Sequence, residues 1–289
     1  MQYIVVRHGS PLGYKGTSPM WLEKTWNGVT NFSGSQLWTD GENIYYSNGY
    51  RSSGQEVLTD GQYVLDKSTS TWSAKTWYGP RSLYGQRIWK DGETIYYSNG
   101  NLGTQYVLDK STSTWTEKSW SGLSFLYGEY IWDDGENIYY SRNNDQYVLN
   151  KSTSMWLTKT WGGLSAVDGR CIWKDGGSIY YSNGSDQYVL DKSTSTWVTK
   201  TWNGFSEVDG RTIWNDGVNI YYSSGADQYV LDKSTSTWSA KMWTGLTEFY
   251  GNSVWKEGRN VYYSNGSYSQ YVLNKSATSG FVIGYNSRV

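Results

Sequence analysis

The sequence predicts an all-β protein, a six-bladed β-propeller with four antiparallel strands per blade. Three recurring elements carry this expectation. Trp-x-[Asp/Glu]-Gly-x-x-[Ile/Val]-Tyr-Tyr-Ser occurs at Trp38, Trp89, Trp132, Trp173, Trp214 and Trp255, at spacings of 51, 43, 41, 41 and 41 residues. Gln-Tyr-Val-Leu-[Asp/Asn]-Lys-Ser starts at Gln62, Gln105, Gln146, Gln187, Gln228 and Gln270. Trp-x-x-Lys-x-Trp-x-Gly starts at Trp21, Trp72, Trp115, Trp156, Trp197 and Trp238. All 18 Trp residues occupy these slots, three in each of six repeats. Self-similarity at such a period marks a repeat architecture.

Within one repeat the strands follow in order. The first ends in Gln86-Arg87-Ile88-Trp89. Asp91-Gly92 then turns the chain, because Gly accepts the positive φ of a tight hairpin. Ile95-Tyr96-Tyr97-Ser98 is the second strand and a variable loop follows. Gln105-Tyr106-Val107-Leu108 is the third. The turn Asp109 to Thr114 is rich in side chains that hydrogen-bond nearby backbone. The fourth strand runs from Trp115 to Trp120. Aromatic and β-branched residues favour strands throughout, and no helical period of useful length occurs. One four-stranded blade cannot bury both faces. A closed ring of blades does so and removes exposed sheet edges. Large flat side chains would fill the wedges between blades, so Trp38 and its five equivalents read as core. The two members of each Tyr pair should face opposite sides of the sheet, since successive strand side chains alternate.

The last repeat lacks its fourth strand: Ser276 to Phe281 contains no Trp. The missing strand stands at the other end of the chain, as Trp21 to Gly28. The last blade is therefore expected to be composite, closed by an N-terminal strand, and deleting residues 1–26 should lower the melting temperature sharply. The division is a 1–19 N-terminal extension, the propeller over 20–280 and a 281–289 tail. The two ends are where a larger assembly would attach. Gln2-Tyr3-Ile4-Val5 imitates the third-strand element at a shifted spacing.

Composition excludes several classes. The 289 residues carry 25 basic and 26 acidic side chains, which lacks the basic footprint of a nucleic-acid binder. Aromatics at 18% exclude disorder. No apolar run approaches the roughly 18 residues of a membrane span, and the start does not read as a secretory signal. One Cys, Cys171, permits no intrachain disulfide. One His, His8, supplies neither a His-based metal cluster nor a Ser-His-Asp triad. The Asp-Gly turns lack the alternating ligands of a calcium loop. Carboxylate pairs such as Glu207 and Asp209 occur only in variable loops. No cofactor and no metal site is expected.

The run Tyr-Val-Leu-Asp-Lys-Ser-Thr-Ser-Thr-Trp resembles the tyrosine, turn and tryptophan signature of kelch-type β-propellers over residues 20–280. Ile-Tyr-Tyr-Ser-Asn-Gly stands where that family has Ile-Tyr and a glycine pair, so the doublet is replaced here. The same wording resembles repeats in bacteriophage tail proteins and in proteins of gut bacteria. That resemblance implies a virion- or tail-associated setting.

In an up-and-down blade, the second-to-third loops share one face of the ring with the connections between blades. Variation among the six copies is concentrated in those segments, whereas the Asp-Lys-Ser-Thr-Ser-Thr turns of the other face barely change. Arg and Tyr, typical interface residues, gather on the variable face. The candidate binding residues are Arg51, Arg81, Tyr84, Arg87, Tyr127, Tyr130, Arg142, Arg170, Arg211 and Tyr250, with Tyr50, Tyr78 and Tyr268 beside them. Of 16 Lys, 12 sit in fixed repeat slots and read as solvated strand edges or turns. The functional expectation is a non-catalytic binding module that recognises a host-surface glycan or protein through this face, without nucleic acid or membrane insertion. It would act on a virion or extracellular surface, with a cytoplasmic place as the alternative. The rivals are an intracellular or structural interaction scaffold and a carbohydrate-active enzyme. Changing Arg87 and Arg170 should abolish binding and leave folding intact.

Overall fold

A computed structural model describes residues 19–29, 31–51, 55–100, 105–123, 125–266 and 270–275. It forms a ring of six four-stranded antiparallel blades. From the axis outwards, the first blade is Leu37–Thr39, Ile44–Tyr50, Gln62–Asp66 and Thr71–Ala74. The second is Ile88–Asp91, Thr94–Ser98, Gln105–Asp109 and Thr114–Glu117. The third is Ile131–Asp133, Ile138–Asn143, Asp145–Asn150 and Met155–Thr158. The fourth is Ile172–Asp175, Ser178–Gly184, Asp186–Asp191 and Thr196–Thr199. The fifth is Ile213–Asn215, Ile220–Gly225, Asp227–Asp232 and Thr237–Ala240. The sixth is Val254–Glu257, Asn260–Ser264 and Gln270–Asn274, completed by Met20–Glu23 from the other end of the chain. Trp21 lies opposite Leu273 in that last ladder, and Lys24 N–H donates to the Gln270 carbonyl at 2.8 Å. The ring is closed as the sequence predicts. The extension 1–18, Tyr268, Ser276 to Phe281 and the 281–289 tail lie outside the described residues.

The core is six apolar clusters, one in each wedge between blades. Trp38, Tyr45 and Trp77 from the first blade and its exit meet Leu83, Ile95, Tyr97 and Trp115 of the second. Tyr46 belongs instead to the preceding wedge, with Phe32, Trp72 and Trp255. Each Tyr pair thus splits across its sheet. The inner Trp stacks on the first Tyr of the pair at 4.4 Å in the first, second and fourth blades. Burying one Trp removes 150–250 Å² from water, an upper bound of about 4–6 kcal/mol per ring.

The serine that follows each Tyr pair has a structural role. The indole N–H of Trp132 donates to Ser141 Oγ at 2.9 Å, and Trp38–Ser47, Trp89–Ser98, Trp173–Ser182, Trp214–Ser223 and Trp255–Ser264 repeat this bond. These serines are fully buried, so the pair satisfies two polar groups that would otherwise be orphaned in the core. The outer-strand indoles differ. Trp72 Nε1 and its five equivalents have no oxygen or nitrogen partner and are surrounded by other rings.

Two expectations are corrected. Gln86 and Arg87 do not begin the first strand; Gly85–Arg87 is a 3-10 turn and the strand starts at Ile88. Each blade has such a turn, opened by the Gly four residues before the inner Trp. These six turns touch in a closed ring around the axis. The repeat lysines are not merely solvated. Lys75 Nζ lies 4.7 Å from the Trp77 ring centre and donates to Ser113 Oγ of the next blade at 2.7 Å. Lys24, Lys118, Lys159 and Lys200 do the same. The turn lysines reach back to the preceding blade, as Lys110 to the Asp40 carbonyl and Lys151 to Asp91.

Candidate functional site

The axial turns set the site. Two residues before each turn glycine stands a fully buried apolar anchor: Phe32, Leu83, Leu126, Val167, Val208 or Phe249. Its carbonyl accepts from the buried amide of the preceding blade's Gln, as Gln146 to Val167 at 2.9 Å and Gln187 to Val208 at 2.8 Å. The residue between anchor and glycine pairs with the end of the preceding blade's second strand: Asn48 with Tyr84, Arg142 with Asp168, Asn183 with Asp209, Ser224 with Tyr250. Anchor and glycine are therefore structural. The positions beside them differ between repeats; Cys171, Thr212 and Ser253 among them are buried, whereas others carry arginines and tyrosines.

On one half of that rim, arginines and tyrosines alternate. The Arg87 guanidinium lies 5.4 Å from the Tyr84 ring centre and 5.6 Å from that of Tyr127. Arg142 lies 4.8 Å from Tyr127 and 5.5 Å from Tyr130. Arg170 lies 4.5 Å from Tyr130. Six of the predicted residues thus form one chain, Tyr84–Arg87–Tyr127–Arg142–Tyr130–Arg170. Such contacts contribute about 0.5–2 kcal/mol each, the more as they are desolvated.

Three guanidiniums are paired. Arg87 Nε meets Glu129 Oε2 at 3.3 Å, with both atoms shut off from solvent. Arg170 grips Asp168, with Nη2 to Oδ2 at 2.7 Å. Arg211 grips Asp209 in the same way, at 2.5 Å. The bonds to these carboxylates outweigh burial and raise the affinity of Arg170 and Arg211 for their protons. Arg211 continues the arc without a ring beside it.

Arg51 and Arg81 do not join the chain. The Arg51 N–H donates to the Arg81 carbonyl at 2.5 Å, and both line a cavity of about 430 Å³ at the junction of the first two blades. Gly79, Ser82, Tyr97, Asn99, Tyr106 and Glu117 complete its described wall. Asn99 connects cavity and chain, accepting from Arg87 and donating to Ser82 Oγ at 3.1 Å. Burial first of all lifts the Tyr97 phenol to about 12, so it stays a neutral hydroxyl. Tyr250 stands apart on the sixth blade's turn, half exposed.

Sequence reading missed Glu129, Asp168 and Asn99, and named Asp209 only as half of a carboxylate pair; these residues orient the arginines. The signal was present: Gly-x-x-[Ile/Leu/Val]-Trp recurs in all six repeats and marks every rim position. The proposal that Arg87 is replaceable without structural cost is corrected. Losing it would leave Glu129, whose side chain is 20% exposed, without its cationic partner. Arg142, which forms no ion pair among the described residues, is the cleaner probe.

Cys171 is a buried free thiol in the fourth blade's turn, pushed to about 12 chiefly by burial. Among the described residues no group of three or more His, Cys, Asp or Glu is arranged to hold a metal ion, and no helix is long and apolar enough to cross a membrane.

No known family and no curated protein matches the chain. Solved structures do. YjhT is similar over 86% of this chain and 95% of its own, at 10% identity and a TM-score of 0.57. An extracellular domain from B. thetaiotaomicron, assigned to a hybrid two-component system, is similar over 84% of this chain, at 14% identity and a TM-score of 0.52. A second such domain, assigned to a one-component system, covers 89% of this chain at 10% identity and a TM-score of 0.53. The chain spans 34% and 43% of the length of those two B. thetaiotaomicron structures. At these identities the likeness establishes a shared fold: this chain is a six-bladed β-propeller.

Proposed function

We propose that the chain is a non-catalytic binding module that recognises a surface glycan on another cell through its axial Arg–Tyr face. One observation carries this reading. The continuous chain from Tyr84 to Arg170 lies where the six repeats differ, while the opposite face repeats the same turn around the ring. Arg and Tyr dominate binding hot spots because they combine large area, few rotamers and directed donors. The cavity beside the chain adds polar groups, Ser82, Asn99 and Glu117, suited to sugar hydroxyls. The extracellular neighbours support action outside the cell. The kelch-like and phage-tail-like wording of the repeats supports a virion or tail setting, in which the segments outside the ring attach the module to its assembly.

The test is binding of the purified chain to arrayed bacterial surface polysaccharides, surface proteins and whole cells. Selective retention on polysaccharide, lost in an Arg170→Ala variant that remains folded, is expected. Retention only on proteins would move the reading to a protein-interaction module. Turnover of a labelled glycan would replace it with an enzyme.

A further inference from the structure

Resting on that reading, we infer that the axial face takes an acidic glycan and that the guanidinium of Arg142 binds its carboxylate. The charge pattern of the rim points there. Arg87, Arg170 and Arg211 each have a carboxylate of their own, in Glu129, Asp168 and Asp209. Arg142 forms no ion pair among the described residues. Asp145 and Asp168 both lie opposite its backbone on the flanking strands. Yet Asp168 is taken by Arg170, and Asp145 makes no ion pair with Arg142.

What surrounds Arg142 is aromatic. The Tyr127 and Tyr130 ring centres lie 4.8 and 5.5 Å from its central carbon, and the Tyr140 hydroxyl is a near neighbour. These rings hold the guanidinium in place without neutralising it. The Tyr130 and Tyr140 hydroxyls engage part of its five donors; the remaining N–H groups offer a planar edge that a carboxylate matches with parallel bonds. Preorganisation removes the rotamer cost that a free surface Arg would pay on binding.

The surroundings favour a sugar over an acidic peptide. The chain leads from Arg142 through Tyr127 and Arg87 to Asn99 and the cavity beyond. The described residues lining that cavity include no aliphatic side chain. Among the described lining residues a peptide side chain would meet only the Tyr97 and Tyr106 rings as apolar surface, whereas sugar hydroxyls find amide, hydroxyl and ring partners.

The experiment uses the full chain and an array in which each acidic bacterial polysaccharide is paired with its carboxyl-reduced form. Binding to at least one acidic polymer, and at least tenfold weaker binding to its reduced form, is expected. Arg142→Gln should weaken that binding about tenfold or more. Arg142→Lys, which keeps the charge and loses the fork, should fall between. Lys174→Gln, on the opposite face, should bind as the wild type. Equal binding to acidic and reduced forms, or an Arg142→Gln variant with unchanged affinity and melt, overturns the inference and leaves the glycan-binding reading standing. Equal losses in Arg142→Gln and Lys174→Gln would mean diffuse charge attraction and would also overturn it. No binding to any polysaccharide overturns both.

Discussion

The backbone carbonyl oxygen of Arg87 lies 1.9 Å from the point where a Cβ on Gly128 would stand. One blade's rim turn therefore rests directly on the backbone of the one before it. The same relation joins Gly169 to Tyr130, Gly210 to Cys171, Gly251 to Thr212, Gly34 to Ser253 and Gly85 to Gln36, which closes the ring. The residues that lock the axis and those that present the arginines are neighbours in sequence, so the Arg–Tyr rim stands on the same backbone contacts that close the ring.

Gly128→Ala must push apart two backbones that have no flexible atom between them. A loss of about 3 kcal/mol or more is expected, at the upper end of overpacking effects. Gly177→Ala, at a turn with nothing within 4 Å, should stay within about 0.5 kcal/mol of wild type. Denaturant midpoints of the two variants check this; equal stabilities would contradict the contact.

Closure depends on Trp21, which is 1% exposed and packs against Trp214, Trp243, Phe249 and Tyr263. Trp21→Ala should cost about 3–5 kcal/mol, and deletion of residues 1–26 should cost more, because it removes the whole strand opposite Leu273. Thermal unfolding reads both. A deletion variant that melts with the wild type would show that the ring does not need its N-terminal strand.

The buried Trp132–Ser141 bond predicts an asymmetric result. Ser141→Ala leaves an indole N–H without an acceptor and should cost about 1–3 kcal/mol. Trp132→Phe also loses ring area but strands no donor on the tryptophan side. If Ser141→Ala were neutral by chemical denaturation, the serine would be filling space only.

Asp134 gives a pH signature. Burial opposes its ionisation, but the amides of Asn137 and Glu136 at 2.7 and 2.9 Å and the Tyr139 hydroxyl at 2.8 Å hold it below the usual 3.8. Asp40 and Asp216 are held low in the same manner. The unfolded chain then binds more protons than the folded one in this range. The stabilisation is complete above about pH 4 and is lost as the pH falls through the lowered folded values. Asp134→Asn should flatten part of that acid limb in melts from pH 6 to 2, and an unchanged acid limb would contradict it.

Blade number, strand order and composite closure were legible because each has a sequence counterpart that repeats: three Trp slots, one Tyr pair and one orphaned strand at Trp21. The wedge packing followed from alternation along the strands. The roles of Lys75 and its equivalents were not legible, because their partner Ser113 lies in the next blade and only the outer-strand geometry brings the two together. For the site, the face and its arginines were readable from variation among the copies. The pairing of Arg87 with Glu129 was not. It joins two turns, 42 residues apart in sequence, that meet only because a glycine lets the axis close. Arg51, Arg81 and Tyr250 share the face with the others, yet stand apart from the Arg–Tyr chain for the same reason: sequence variation identifies a face, not a contact.

The most direct test of the central claim is binding of wild type, Arg142→Gln and Arg170→Ala, with Lys174→Gln as the opposite-face control, to arrayed bacterial polysaccharides and cells. The account predicts selective binding by the wild type and by Lys174→Gln, lost in both rim variants while both remain folded. Binding that survives both rim substitutions, or falls only with Lys174→Gln, would contradict the assignment of the axial Arg–Tyr face.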